Sequence, residues 1–295
     1  MPEASAAAVA APRRAQVLSL GSLWIAPPLL VLAILFFYPL ALIVGQAFNG
    51  DEHVFSLSYI GSVLGSVQFQ SAFLHTIQIS MAATAGCVAL GFTLALILSF
   101  VPFPGARAVA RLVDTFIALP TFLAALAFTF IYGSAGILNM SLMELTGAKL
   151  PPVNFLYSAW GVIFAEVTVY TPFIMRPLLA AFSLIEISQI EVASSLGAGP
   201  WRIICQVILP AALPALLAGG SLCLLLTVNE FGIVLFIGAK GVITLPLLIY
   251  DKAIQEFDYT MACVIAVVNI ALSLGLYSLY RFILAHFGGR RAGLV

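Results

Sequence analysis

The sequence predicts an all-α membrane protein, a bundle of six transmembrane helices, and three observations carry that prediction. Hydrophobic residues make up 62% of the 295-residue chain and charged residues only 8%, against about a quarter charged in soluble domains. The apolar residues gather into six runs, each long enough for the roughly 20 helical residues that cross a hydrocarbon core. The basic residues collect at alternate ends of those runs, as they do in membrane bundles. Lys+Arg and Asp+Glu balance at 12 each, so no overall basic field exists to attract nucleic acid.

Residues 1–18 read as an Ala-rich cytoplasmic tail, with Arg13 and Arg14 just ahead of the first apolar run. That run, 20–48, is too long for the apolar region of a signal peptide, so it is assigned as the first span, tolerating Pro27, Pro28 and Pro39. Residues 49–70 carry Asp51, Glu52 and His53 and no Lys or Arg. The second span is expected at 73–101, ended by Pro102-Phe103-Pro104-Gly105, and the third at 108–132. A loop to residue 152 precedes a fourth span at 155–176, and a polar island follows at 176–206. The fifth span is read as 211–237, with a loop holding Lys240, Asp251, Lys252, Glu256 and Asp258 after it. The sixth is placed at 261–284, leaving 286–295 as a cytoplasmic tail and 19–285 as the transmembrane domain.

Six spans put both termini on one side, and the Lys/Arg distribution selects the side. Arg13, Arg14, Arg107, Arg111, Arg176, Arg202, Arg281, Arg290 and Arg291 fall on the side of the termini, against Lys149, Lys240 and Lys252 on the other. Nine against three places the termini and the polar island in the cytoplasm.

Within the island, Ser183-Leu184-Ile185-Glu186 has the form of a capping box, in which the hydroxyl and the carboxylate each bond the other's amide. The helix that follows is expected to end at Gly197, free to take the left-handed conformation. Pro200, after Gly199, suits a first helical position. A helix, a sharp turn and a second helix running into a span make a rigid knob suited to presentation to another protein.

Composition argues against an enzyme. The sequence has no Walker lysine loop, HExxH or GxSxG, and His53, His75 and His286 have no obvious partners. His75 is read as a helix-end residue in preference to a pore-lining one. Cys87, Cys205, Cys223 and Cys263 show neither CxxC nor Cys/His spacing, so they are read as small apolar residues. Ionisable residues inside spans are costly and become site candidates. Asp114, one turn from Arg111, is read as half of an interfacial ion pair. Glu166, near Thr168, Tyr170 and Thr171, and Asn229-Glu230, ahead of Phe231-Gly232, are candidates for the wall of a substrate path. The competing reading of both is polar glue between helices. Gly232 and Asn229 beside Glu230 point to a locally unwound patch at membrane depth.

The island also carries a fixed spacing, Glu191-Val192-Ala193, three residues, Gly197, nine residues, Val207-Ile208-Leu209-Pro210. It resembles the cytoplasmic signature loop of ABC-type importer permeases, Glu-Ala-Ala, three residues, Gly, nine residues, Ile-x-Leu-Pro. Val192 replaces the second Ala and Val207 the Ile. Three longer stretches, 113–122, 130–136 and 229–241, resemble the permease subunits of bacterial 2-aminoethylphosphonate importers. The resemblance implies the type I, MetI-like bundle in a bacterial inner membrane. It implies a periplasmic substrate-binding protein and a second, non-identical permease. It further implies a pair of ATPase subunits that bind the ATP, this chain holding no cofactor. It assigns the coupling loop to about 183–210 and coupling to the ATPase to Glu191, Ala193, Gly197, Leu209 and Pro210.

Permeases for sulfate, molybdate, ferric iron and polyamines share the loop, so those cargoes remain alternatives to the phosphonate. Two other classes compete: a proton-coupled secondary transporter using Glu166 and Glu230, and a membrane scaffold without cargo. The proton-coupled carrier has no need for the signature loop.

Overall fold

A computed structural model describes residues 24–49 and 57–292. The tail expected over 1–18, the start of the first span at 20–23, and Asp51, Glu52 and His53 lie outside the described residues. The chain divides into two compact units, Met1–Gly45 and Gln46–Val295. What is described of the first is most of helix α1, Ala26–Asn49, which is apolar up to Gly45 and carries Pro39 inside.

The regular structure of the second unit is all helical among its described residues. In chain order it holds α2 (Leu57–Gly65), α3 (Val67–Phe100), α4 (Ala106–Ala118), α5 (Thr121–Tyr132), α6 (Ile137–Thr146) and α7 (Ala159–Phe182). There follow α8 (Ile187–Ser195), α9 (Pro200–Ile203), α10 (Leu209–Val228), α11 (Gly232–Ile237), α12 (Leu245–Tyr250) and α13 (Tyr259–Ala292). Two π-helical turns, Ile204–Ile208 and Asp251–Gln255, precede α10 and follow α12. Six segments among the described residues are long and apolar enough to cross a membrane: Pro27–Phe48, Val67–Phe100, Thr121–Thr146, Ala159–Phe182, Pro200–Val228 and Tyr259–Ile283.

Helix α7 is the centre of the bundle, packing against α3, α10 and α4. Val162, Ala165, Ile174, Met175 and Leu178 line its buried face. Small residues let the helices approach, which is the usual device where lipid leaves no hydrophobic drive for association. At Gly91 of α3, an added Cβ would come within 2.9 Å of the Ile174 Cβ, so only glycine fits the crossing. Phe182, at the end of α7, closes this core against Phe92 at 5.9 Å and Phe100 at 5.4 Å between ring centroids. A second core joins Ala47, Phe69, Ala72, Leu245, Leu248 and Ile265.

Several expected boundaries change, the second span, expected at 73–101, starting six residues earlier at Val67. The third span, expected as one helix over 108–132, is broken at Leu119-Pro120. The residue before a proline is driven out of the helical region, and Leu119 is extended, with ψ 131°. The crossing segment starts at Thr121 and continues through α6, so part of the expected loop is helix. The fourth span continues six residues past Arg176, because Leu178 and Phe182 still face the core. The fifth begins at Pro200 and stops at Val228 instead of running 211–237. The loop expected after it folds back as α12, whose first amide, Leu245, is capped by the Thr76 hydroxyl of α3 at 2.8 Å. There Lys252 is buried and paired with Glu256 at 2.7 Å. Helix α13 continues through Ala292, so most of the expected 286–295 tail is helical.

Candidate functional site

Two places in the second unit hold the residues singled out in the sequence, one in the polar island and one at the break in the fifth span.

The expected capping box does not form. Since α7 runs on to Phe182, Ser183 becomes the residue that ends it, and its hydroxyl donates back to the Ala180 carbonyl at 2.7 Å. Glu186 stands at the start of α8, and its carboxylate accepts from the Ser188 hydroxyl at 3.2 Å. The other end of α8 matches the expectation and explains the spacing. Gly197 has φ +82°. The Ala198 amide donates to the Ala193 carbonyl at 3.0 Å and the Gly197 amide to the Ser194 carbonyl at 2.9 Å. These crossed bonds are a Schellman motif, which requires a left-handed residue in the Gly197 position. Ala193 and Gly197 are therefore two parts of one helix stop.

Pro200 opens α9, as expected. The chain then enters the π turn, where the Leu209 amide bonds the Ile204 carbonyl. Pro210 has no amide to give the Gln206 carbonyl four residues back, and its ring would crowd that carbonyl. One extra residue in the turn resolves the conflict, so the Leu209-Pro210 pair writes the π bulge. From Pro200 to Val228 the helix is otherwise continuous, which joins the island mechanically to the fifth span.

Glu191 is exposed on α8. Exposed with it are apolar residues that the sequence reading missed, Leu184, Ile187, Val192, Leu196 at 83% and Trp201 at 76%. The available signal was their presence in a stretch outside the apolar runs, where no lipid accounts for them.

At the other place, α10 stops at Val228 and α11 starts at Gly232, an unwound Asn229-Glu230-Phe231 as expected. Glu230 is buried and bonded on both oxygens. One accepts the Ile233 amide at 2.7 Å and so caps α11; the other accepts the Tyr170 hydroxyl of α7. Glu166 is one helical turn from Tyr170 on α7, only 1% exposed, and its Oε2 has no hydrogen-bond partner among the described residues. It lies within electrostatic reach of Glu230, so the structure brings these two candidates together. Thr84 of α3 and Thr227 of α10 share a hydrogen bond at 3.2 Å in the same core.

Asn229 points elsewhere. Its amide group donates to Leu225 O at 2.8 Å and to the Ser273 hydroxyl at 3.2 Å, while its oxygen accepts from Asn269 Nδ2 at 3.0 Å. Asn269 and Ser273, both on α13, had not been singled out; two polar residues four apart in an apolar run were the signal. His75 Nδ1 lies 3.3 Å from the Ile243 carbonyl. The Asp114 side chain lies outside the described residues. Cys87 and Cys223 are buried, and all four cysteines are free.

The arrangement defines a multi-span membrane protein that offers a rigid, partly apolar helix at one face and carries a broken helix with buried carboxylates inside. The chain belongs to the family described as the binding-protein-dependent transport system inner membrane component, whose model matches residues 87–292. It is accordingly a transport subunit and a multi-pass inner-membrane protein. It is 63% identical over 268 residues, 91% of this chain and 94% of the relative, to a Salmonella typhimurium protein provisionally named a 2-aminoethylphosphonate transport system permease, PhnU. It is 30% identical over 235 residues, 78% of this chain and 82% of the relative, to the sulfate transport system permease CysT of Escherichia coli. Among solved structures, it is similar to a chain of a bacterial ABC transporter involved in the import of the polysaccharide alginate, with TM-score 0.78, 17% identity, and coverage of 90% of this chain and 95% of that one. It is also similar to a chain of the MetNI methionine transporter, with TM-score 0.56, 19% identity, and coverage of 74% and 95%. At these identities the likeness is one of fold.

Proposed function

We propose that this chain is the permease of an ABC importer for 2-aminoethylphosphonate, coupled to a cytoplasmic ATPase pair through α8. The observation that carries the cargo is the 63% identity, spread over 91% of the chain, to the relative provisionally named for that compound. In this reading a periplasmic binding protein delivers the ligand, a second and non-identical permease completes the path, and the ATPase subunits bind the ATP. Both termini and α8 face the cytoplasm.

The physics of α8 supports the coupling role. A helix held at its end by a Schellman motif moves as a unit, and exposed Leu184, Ile187, Leu196 and Trp201 supply the apolar anchors that dominate interfaces. Glu191 orients the contact or pairs with a basic ATPase residue. A shift of α8 then reaches the fifth span through Leu209 and Pro210, in the manner of small helix displacements amplified by packed elements. Asn229, Glu230 and Glu166 are assigned to the substrate path or its immediate support.

Uptake of labelled 2-aminoethylphosphonate, competed by phosphate, sulfate and putrescine, tests the cargo. Competition by unlabelled 2-aminoethylphosphonate alone is the expected result. The likeness to a sulfate permease makes sulfate the rival cargo, and its transport in place of the phosphonate would sink the assignment.

A further inference from the structure

Asn269 and Ser273 sit on either side of residue 271, the midpoint of the candidate span Tyr259–Ile283. Their hydrogen bonds to Asn229 therefore set the break that follows Val228 beside the midpoint of that span. Discontinuous helices meeting at mid-membrane are where transporters build small-ligand sites, because their unwound backbone and polar side chains replace water there.

The hydrogen bonds also fix which way the amides face. Asn229 Nδ2 is held by a carbonyl, Leu225 O, so its oxygen must face Asn269 and draw out the Asn269 NH₂ group. That leaves the Asn269 oxygen pointing away from the pair. This oxygen is buried and has no hydrogen-bond partner among the described residues, in a side chain only 7% exposed. Asn229 itself is exposed. An orphaned acceptor in a low-dielectric interior costs on the order of 1–3 kcal/mol, a penalty relieved by a ligand that donates. The same hydrogen-bonded group holds two further acceptors, Asn229 Oδ1 and Ser273 Oγ, and the next residue in the chain, Glu230, carries a buried carboxylate. The described arginines of the spans, Arg176, Arg202 and Arg281, stand nearer the helix ends. This neighbourhood accepts hydrogen bonds and favours positive charge.

We propose that Asn229, Asn269 and Ser273 form the part of the path that takes a primary ammonium group. The assignment rests on the cargo reading above and deepens it: an aminoalkyl phosphonate is met here at its amine end. Its phosphonate is met by groups other than these three. An ammonium with three donors that takes the place of the Asn229 and Asn269 amide hydrogens meets three acceptors, Asn229 Oδ1, Asn269 Oδ1 and Ser273 Oγ.

The test uses the complete complex, with binding protein and ATPase, in vesicles. Wild type is expected to accumulate labelled 2-aminoethylphosphonate. At matched protein levels, Asn269→Leu and Ser273→Ala are expected to lower uptake about tenfold, the worth of a hydrogen bond to a charged group. Asn269→Asp, which keeps an acceptor oxygen, is expected to retain uptake. Wild-type uptake by Asn269→Leu would overturn the assignment. So would parallel loss of uptake and stimulated hydrolysis in all three variants, which marks a structural role. Failure of wild type to take up 2-aminoethylphosphonate, with sulfate accumulated instead, would overturn the cargo reading and this assignment with it.

Discussion

The Tyr170 hydroxyl donates to the Glu230 carboxylate, tying the central helix of the bundle to the point where the fifth span comes apart. The same carboxylate caps α11 through the Ile233 amide, so one side chain both ends a break and anchors it. Tyr170→Phe removes one of the two bonds and leaves a buried oxygen without a donor, at a cost of about 1–3 kcal/mol. Thermal unfolding of the solubilised protein should shift down accordingly. Glu230→Gln should change uptake while ATPase association persists. If Glu230→Gln instead abolishes the folded protein, Glu230 is a structural cap and not part of the path.

Gly197 holds φ +82° within the Schellman motif. Gly197→Pro is incompatible with that angle and also removes the amide that bonds Ser194. Transport and ATPase docking should fall in Gly197→Pro, and in Glu191→Ala, while membrane insertion survives. Intact coupled hydrolysis in Gly197→Pro would remove the loop from the mechanism.

Leu196 and Trp201 bury little within the chain, so Leu196→Ser and Trp201→Ser should leave its own thermal stability within about 0.5 kcal/mol. Copurification of the ATPase should drop in both. Unchanged copurification would mean that the exposed apolar residues serve another surface.

Phe182 is buried between Phe92 and Phe100. Phe182→Ala should cost about 3–5 kcal/mol through the cavity it leaves, read as a lowered unfolding temperature in detergent. A negligible change would show that the core collapses around the missing ring.

Deleting the partner ATPase should abolish uptake. Uptake that continues and follows the proton gradient would instead make Glu166 and Glu230 proton carriers of a secondary transporter.

What the sequence by itself determined is the class and the large plan. Apolar runs separated by polar stretches specify six spans, because hydrocarbon admits only backbones that satisfy themselves. The loop spacing specified a helix stop at Gly197, because a left-handed residue there is a local requirement of the backbone. Asn229-Glu230-Phe231-Gly232 was legible as an unwound patch for the same local reason. Only the tertiary structure decided where Ser183 belongs, since packing of Phe182 carried α7 six residues past Arg176 and took the serine as its end. Only packing joined Glu166 and Tyr170 of α7 to Glu230 in the unwound segment, and set Asn229 against Asn269 and Ser273 across 40 and 44 residues of chain. Helical periodicity tells which residues share a face of one helix. It does not tell which face of another helix will meet them, because that depends on the side-chain volumes of every helix in the bundle at once.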